Sequence, residues 1–258
     1  MRLYDNSRTV SDEAAILADF QQRSLQAYTQ HPHSSHAYGV HPRQQYDFFP
    51  CGLTGAPILL FIHGGYWQWC DKSDFGFIVN APLAAGFDVI LLEYPLTPES
   101  CFADVVNSVG VALDFLANKP ELKNRQVYLS GHSAGGHMSA YWQRHPWLHS
   151  VCAISGLYDL EPLRHSHLNE ALNLSCEDVQ DFSPIHFPAI KKPLYLVYGG
   201  QELVELQWQS TKYAHELSEH SNQVQLQELS ECNHYTILDA VFGEHGYWLT
   251  HVATASAN

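Results

Sequence analysis

Residues 127–141 read VYLSGHSAGGHMSAY. The segment opens on a short apolar run, Gln126–Ser130, passes through Gly131-His132-Ser133-Ala134-Gly135, and continues into a helix-length stretch holding Met138, Ala140 and Tyr141. A serine between two glycines, entered from a strand and left by a helix, is the sequence form of a nucleophile elbow. Glycine two places either side permits a turn too sharp for larger residues, so the serine hydroxyl projects from the end of a sheet. The helix that follows points its N-terminus at the same place, which favours negative charge developing there.

Working outward, the chain alternates in a regular way. Apolar strand candidates lie at Gln44–Phe49, Ile58–Ile62, Asp88–Leu92, Gln126–Ser130, Val151–Ile154, Leu194–Tyr198 and Val224–Leu229. Helix-length stretches at Ser73–Ala85, Phe102–Asn118, Ser133–Gln143 and Leu206–His220 separate them, and residues 11–29 form a further helix that Ser11 can cap. Continuous apolar strands alternating with helices predict an α/β architecture, a mostly parallel central sheet with helices on both faces. Residues 157–190, rich in proline and short polar segments, interrupt the rhythm as a small insertion of the kind that shapes a binding site. His31 to Pro42 reads as a turn-rich linker, and residues 1–258 as a single domain.

The chemistry needs more than a serine. His63-Gly64-Gly65-Tyr66-Trp67 directly follows the Ile58–Ile62 run. Its glycines can turn backbone N–H groups toward a developing oxyanion, as acyl transfer requires. The expected donors are the N–H groups of Gly65, Tyr66 and Ala134, with Gly64 making the turn. A base in the chain order Ser, acid, His belongs in the loop after the last strand, where His234 stands. The acid belongs after the preceding strand, where Glu202 is the first choice and Glu205 the competitor. Of the aromatic residues flanking these loops, Trp67, Tyr158, Trp208 and Tyr235 are expected to line a substrate pocket.

The 258 residues are 45% hydrophobic and carry a formal charge of −14, with 17 histidines that should lie mostly on the surface. That charge argues against a phosphate-contacting nucleic-acid partner and against anionic membranes. No apolar run reaches membrane-spanning length, and the N-terminus has no signal-peptide core, so a cytoplasmic location is expected. Six cysteines without CxxC spacing read as free, mostly buried thiols, and no HExxH or zinc-type spacing suggests a metal. No cofactor is required, and the partner is a small-molecule acyl substrate.

These motifs together resemble the α/β-hydrolase fold, in particular the kynurenine formamidase (arylformamidase) branch near HGGxW esterases. The resemblance rests on HGGYW at 63–67, GHSAGGH at 131–137, YPLTPE at 94–99, SGLYDLEP at 155–162, Ser183-Pro184 and Glu202–Ser210, with further matches from Ala37 to Phe48. It implies Ser133, Glu202 and His234 as a triad, although the acid of that family is usually aspartate. It also implies an N-formyl aryl amine such as N-formylkynurenine as substrate. That molecule carries a carboxylate, for which only Lys72 and Arg164 stand near the expected site. A carboxylesterase acting on short-chain or aryl esters is the alternative, and a catalytically silent binding protein of the same fold a more distant one.

Overall fold

The computed structural model describes residues 3–187, 192–219 and 223–254. Eight strands form one sheet: β1 (Ser34–Ala37), β2 (Gln45–Phe49), β3 (Ile58–Ile62), β4 (Asp88–Leu92), β5 (Val127–His132), β6 (Ser150–Ile154), β7 (Leu194–Gly199) and β8 (Val224–Leu229). Their spatial order is β1-β2-β4-β3-β5-β6-β7-β8. The β1–β2 and β2–β4 pairs are antiparallel and the remaining pairs parallel. The sheet is the mostly parallel one expected of an α/β-hydrolase.

The helices are α1 (Glu13–Gln30), α2 (Asn80–Ala84), α3 (Phe102–Ala117), α4 (Ala134–Tyr141), α5 (Glu161–Arg164), α6 (Asn169–Leu172), α7 (Cys176–Phe182), α8 (Val204–Ser218) and α9 (Ile237–Phe242). The period-2 alternation of the strands sorts their side chains onto two faces. Ile58, Leu60, Ile62 and Leu129 join one core with Val105, Val109 and Met138. Leu59, Phe61, Tyr128 and Ile154 join a second core with Phe20, Phe77 and Trp248. Each central strand is buried along its whole length, which is why apolar residues dominate it.

Several elements differ from expectation, each for a local reason. β1 lies inside the stretch read as a linker; its four residues are exposed and carry no apolar pattern, so only pairing with β2 makes them a strand. Asp12, not Ser11, caps α1, accepting from the Ala15 N–H at 3.0 Å. The helix expected over Ser73–Ala85 is broken into 3₁₀ turns over Lys72–Val79, with a non-helical Phe75, followed by the short α2. This segment is pressed against α1: a Cβ on Gly76 would come within 2.7 Å of the Tyr28 ring. The insertion folds as α5, α6 and α7, and its positions 188–190 lie outside the described residues, as does His220 at the expected end of α8. All six cysteines are free, but Cys101 and Cys176 are exposed and Cys152 alone is classed as buried. Histidines 63, 132, 137, 145 and 234 are buried, while the other described histidines are at least partly exposed, as expected of most of them.

The order of the strands places the site. The chain leaves β3 for β4 on one side of it and leaves β5 for β6 on the other. The loops at the carboxyl ends of β3 and β5 therefore diverge and open a crevice, the position where open α/β sheets bind ligands.

Candidate active site

Ser133 sits at the junction of β5 and α4 with φ +57° and ψ −116°, a conformation that an L-residue holds only under constraint. The constraint is visible. Its N–H donates to the Ile154 carbonyl on β6 at 2.8 Å, and its own carbonyl accepts from the His137 N–H at 3.0 Å. The two glycines of the motif make room for this turn. A Cβ on Gly131 would lie 2.2 Å from the Gly135 carbonyl oxygen, and one on Gly135 would lie 2.0 Å from that of Ile62. Ala134 begins α4, so its N–H is among those with no partner one turn back.

The loop after β3 is a run of left-handed backbone: Gly65 at φ +104°, Tyr66 at +49° and Trp67 at +59°. Gly65 is the turn residue, since a Cβ there would meet the Trp69 carbonyl oxygen at 2.2 Å. The turn expected of Gly64 thus belongs to Gly65, and Gly64 serves close approach instead: its Cβ would lie 3.1 Å from that of Ser133. A buried polar network holds this loop from below. His63, fully buried, pairs through Nε2 with Glu93 Oε1 at 2.9 Å, and the Tyr94 hydroxyl donates to the carbonyls of His63 and Gly64. Arg43 joins Glu93 Oε1 at 2.7 Å and donates to the carbonyls of Tyr94 and Cys70. Burial by itself would raise the Glu93 pKa, but His63, Arg43 and the Lys72 N–H outweigh it and hold the carboxyl at about 2.

His234 lies in the turn between β8 and α9. Asn233 fastens that turn, its side-chain oxygen accepting from the N–H groups of Tyr235 and Thr236 while its N–H donates to the Thr236 hydroxyl. Glu202 lies in the turn after β7, and its Oε2 is 3.5 Å from His234 Nδ1. Its Oε1 accepts from the Ser155 hydroxyl at 2.5 Å and the Gly199 N–H at 3.0 Å. The structure thus brings Glu202 to His234, while Glu205 stands in the first turn of α8. The extra methylene of glutamate relative to aspartate is taken up by folding back onto Gly199, where a Cβ would come within 3.1 Å of Glu202 Oε1.

Ser133, His234, Gly64, Gly65 and Tyr66 line one pocket of about 370 Å³. Its other walls come from an unexpected source, the N-terminal segment: Tyr4, Asn6, Glu13 and Phe20. Asn6 Nδ2 donates to the Tyr66 hydroxyl at 3.2 Å, and the Tyr235 hydroxyl donates to Glu13 Oε1, so this segment grips both loops of the site. These contacts bridge 60 and 222 positions of sequence and leave no local pattern to read. His132 also lines the pocket, its ring 4.5 Å from that of His234. Burial, and secondly the neighbouring His234, push its pKa well below the usual histidine value, which keeps it neutral. Cys70 lines the pocket too, but burial raises its thiol to about 12, so at neutral pH it is not a thiolate nucleophile.

Of the four aromatic residues expected to contact substrate, the pocket receives only Tyr235. Trp67 is fully buried against Phe102 and His137, and Tyr158 is fully buried and stacked on Tyr213 at 4.6 Å; both are core. Trp208 is 43% exposed on α8 beneath the Lys212 ammonium. The places expected of them fall to Tyr4, Phe20, Trp69 and Phe75. Lys72 pairs with Asp47 at 3.2 Å and Arg164 with Glu161 at 3.1 Å, and neither lines the pocket. A larger groove of about 620 Å³ between α1, α2 and α9 holds none of the expected site residues. Among the described residues, no cluster of three or more His, Cys, Asp or Glu is placed to hold a metal ion, and no helix is long and apolar enough to cross a membrane.

Comparison with known proteins agrees with this architecture. The BD-FAE family model matches residues 50–144. Kynurenine formamidase of Danio rerio is 26% identical over 208 residues, covering 75% of this chain and 70% of its own. A Silicibacter sp. TM1040 chain provisionally described as a thioesterase superposes with a TM-score of 0.86 over 97% of both chains at 22% identity. An esterase of Pyrobaculum calidifontis superposes with a TM-score of 0.73 at 16% identity, over 95% of this chain and 93% of its own.

Proposed function

We propose, from the chain's place among α/β-hydrolases of the kynurenine formamidase-like esterase branch, that it is a serine hydrolase cleaving a small aryl formamide or ester. Ser133 Oγ attacks the carbonyl carbon while His234 takes the hydroxyl proton. The N–H groups of Gly65, Tyr66 and Ala134 hold the oxygen that becomes negative. The imidazolium then gives its proton to the departing amine or alcohol, leaving an acyl ester on Ser133. Water, deprotonated by the same histidine, releases the acid. Glu202 orients the imidazole and offsets its charge when protonated. For a formamide the intermediate is a formyl ester and the acid released is formate.

The observation that carries this reading is the joining of three separate loops. A serine held at φ +57° at a strand–helix turn opens into one pocket with a histidine whose Nδ1 faces a buried carboxylate at 3.5 Å. The pocket volume suits a substrate with one aromatic ring, and Tyr4, Trp69 and Tyr235 are among the residues that line it. A general carboxylesterase is the second reading. It is favoured by one observation: among the described lining residues no lysine or arginine stands ready for the carboxylate of N-formylkynurenine.

Steady-state kinetics on N-formylkynurenine beside p-nitrophenyl acetate, with Ser133→Ala as control, test both readings. A much higher kcat/KM on the formamide, lost in the variant, is the result expected of a formamidase. Ester turnover without formamide turnover places the chain with general esterases. Turnover that survives Ser133→Ala would overturn the serine mechanism.

A further inference from the structure

We propose that His63 is a buried imidazolium and a positioning residue of the oxyanion loop: its Nδ1–H holds the Gly64 carbonyl and so aims the Gly65 N–H at the acyl oxygen. The charge on the ring stands on geometry alone. The positioning role rests on the serine-hydrolase reading above and deepens it.

Both ring nitrogens of His63 face acceptors. Nε2 lies 2.9 Å from Glu93 Oε1, and Nδ1 lies 2.8 Å from the Gly64 carbonyl oxygen. A carbonyl oxygen only accepts, and so does an ionised carboxylate. Glu93 is surrounded by donors that keep it ionised. Its Oε1 also accepts from Arg43 Nη2 at 2.7 Å and from the Tyr94 N–H at 3.0 Å, and its Oε2 accepts from the Lys72 N–H at 2.9 Å. Either neutral tautomer of His63 would set a nitrogen lone pair against an oxygen lone pair in a fully buried place, so the ring carries both protons. The surroundings suit a cation. The ring stacks on Tyr94 at 4.3 Å and on Phe75 at 5.9 Å, and aromatic faces attract positive charge. Arg43, the other cation on Glu93, is divided between that carboxylate and Asp71, which leaves Glu93 free to balance the imidazolium.

The consequence for the loop follows from peptide geometry. In a trans peptide the carbonyl of one residue and the N–H of the next point in opposite directions, and the Gly64–Gly65 bond is trans. His63 Nδ1 and the Tyr94 hydroxyl, at 3.1 Å, hold the Gly64 carbonyl on the buried side. The Gly65 N–H therefore points the other way, and among the described residues it meets no acceptor. The Gly65 carbonyl is held in turn by the N–H groups of Gln68 and Trp69, both at 2.9 Å, which directs the Tyr66 N–H in the same manner. Gly64, Gly65 and Tyr66 line the pocket beside Ser133. A hydrogen bond from an imidazolium is shorter and stronger than one from a neutral ring, so it fixes the donor before charge develops on the oxygen.

Nitrogen-15 NMR of protein labelled in its histidines tests the charge, with His63 assigned by the signals lost in His63→Asn. At mildly alkaline pH, where an unperturbed histidine is neutral, both ring nitrogens of His63 should resonate as protonated. One protonated and one bare nitrogen would overturn the imidazolium.

Kinetics on p-nitrophenyl acetate test the positioning. The amide of His63→Gln falls near the Nε2 position, so the donor to Gly64 is lost; kcat should drop by about tenfold or more with KM within about twofold. The amide of His63→Asn falls near the Nδ1 position and should regain several-fold of that loss. Unchanged kcat, an equal loss in both variants or a loss confined to KM would overturn the positioning role. Turnover that survives Ser133→Ala would instead strike the serine mechanism, and the oxyanion role with it, while the NMR result decides the charge on His63 by itself.

Discussion

The Ser155 hydroxyl donates to Glu202 Oε1 at 2.5 Å, and this leaves Oε2 as the oxygen that faces His234. Ser155 is itself held at φ +51° at the end of β6, with its N–H on the Val197 carbonyl at 2.7 Å. On the proposed mechanism the strained serine is therefore a positioning residue, one strand over from Ser133. Ser155→Ala should lower kcat by about tenfold with little change in KM, the size expected for one hydrogen bond to a charged group. Ser155→Gly relaxes the backbone yet lacks the donor, so it should lose kcat to the same degree. Unchanged kcat in both variants would remove this role.

The Glu202 carboxylate is expected to act by charge and by reach. Glu202→Gln keeps the shape but cannot balance an imidazolium, and kcat/KM should fall by about a thousandfold or more. Glu202→Asp keeps the charge but shortens the side chain, and the contact to His234 is already 3.5 Å. The aspartate cannot hold the Gly199 N–H and reach His234 together, so its kcat/KM should fall between the two.

Gly64 and Gly65 should fail in different ways. Alanine at Gly65 must place a Cβ 2.2 Å from the Trp69 carbonyl oxygen in a left-handed backbone. Gly65→Ala should lower the melting temperature by several degrees, about 2–4 °C for each kcal/mol in a chain of this size. Alanine at Gly64 meets the Ser133 side chain at 3.1 Å. Gly64→Ala should melt near the unaltered protein while kcat/KM drops about tenfold or more, because the methyl occupies the approach to Ser133, the proposed nucleophile.

Acid should weaken the fold in two stages. Burial lowers the His137 pKa to about 4, so between about 6.5 and 4 the unfolded chain binds a proton that the folded chain does not. Stability is then lost as pH falls through that window, and Tm measured against pH should decline across it. His137→Gln should flatten the decline. Glu93, held at about 2 against an ordinary value of 4.5, adds a second loss as pH falls from 4.5 toward 2. Glu93→Gln should remove that second loss and lower stability at neutral pH, because it leaves His63 and Arg43 without their carboxylate.

Much of the molecule is legible in the sequence, for physical reasons. The central strands are buried on both faces, so Ile58–Ile62 announces itself as an unbroken apolar run, and Asp88–Leu92 as an apolar run entered through one aspartate, both with the bounds that the structure gives them. The G-x-S-x-G turn and the HGG loop depend on glycines whose neighbours leave no space for a Cβ, and that demand is local. His234 and Glu202 follow from their order along the chain, since each lies in the turn directly after a strand end.

The aromatic residues and the pocket walls could be assigned only in three dimensions. Trp67 and Tyr158 stand beside the right loops in sequence, yet their side chains turn into the core against Phe102 and Tyr213. Adjacency along the chain does not determine which face a ring takes. Tyr4, Asn6 and Glu13 carry no motif, and they reach the site only because α1 packs on the Lys72–Val79 segment and brings the N-terminal segment to the pocket. Those contacts depend on long-range packing of Phe20 against Phe75 and Phe77, and no window of local sequence contains them. The amino-acid sequence by itself determined the central strands and the order of the proposed triad along the chain, because strand periodicity and tight turns are local demands. Tertiary packing decided what surrounds a bound substrate, because a pocket wall is made wherever distant segments meet.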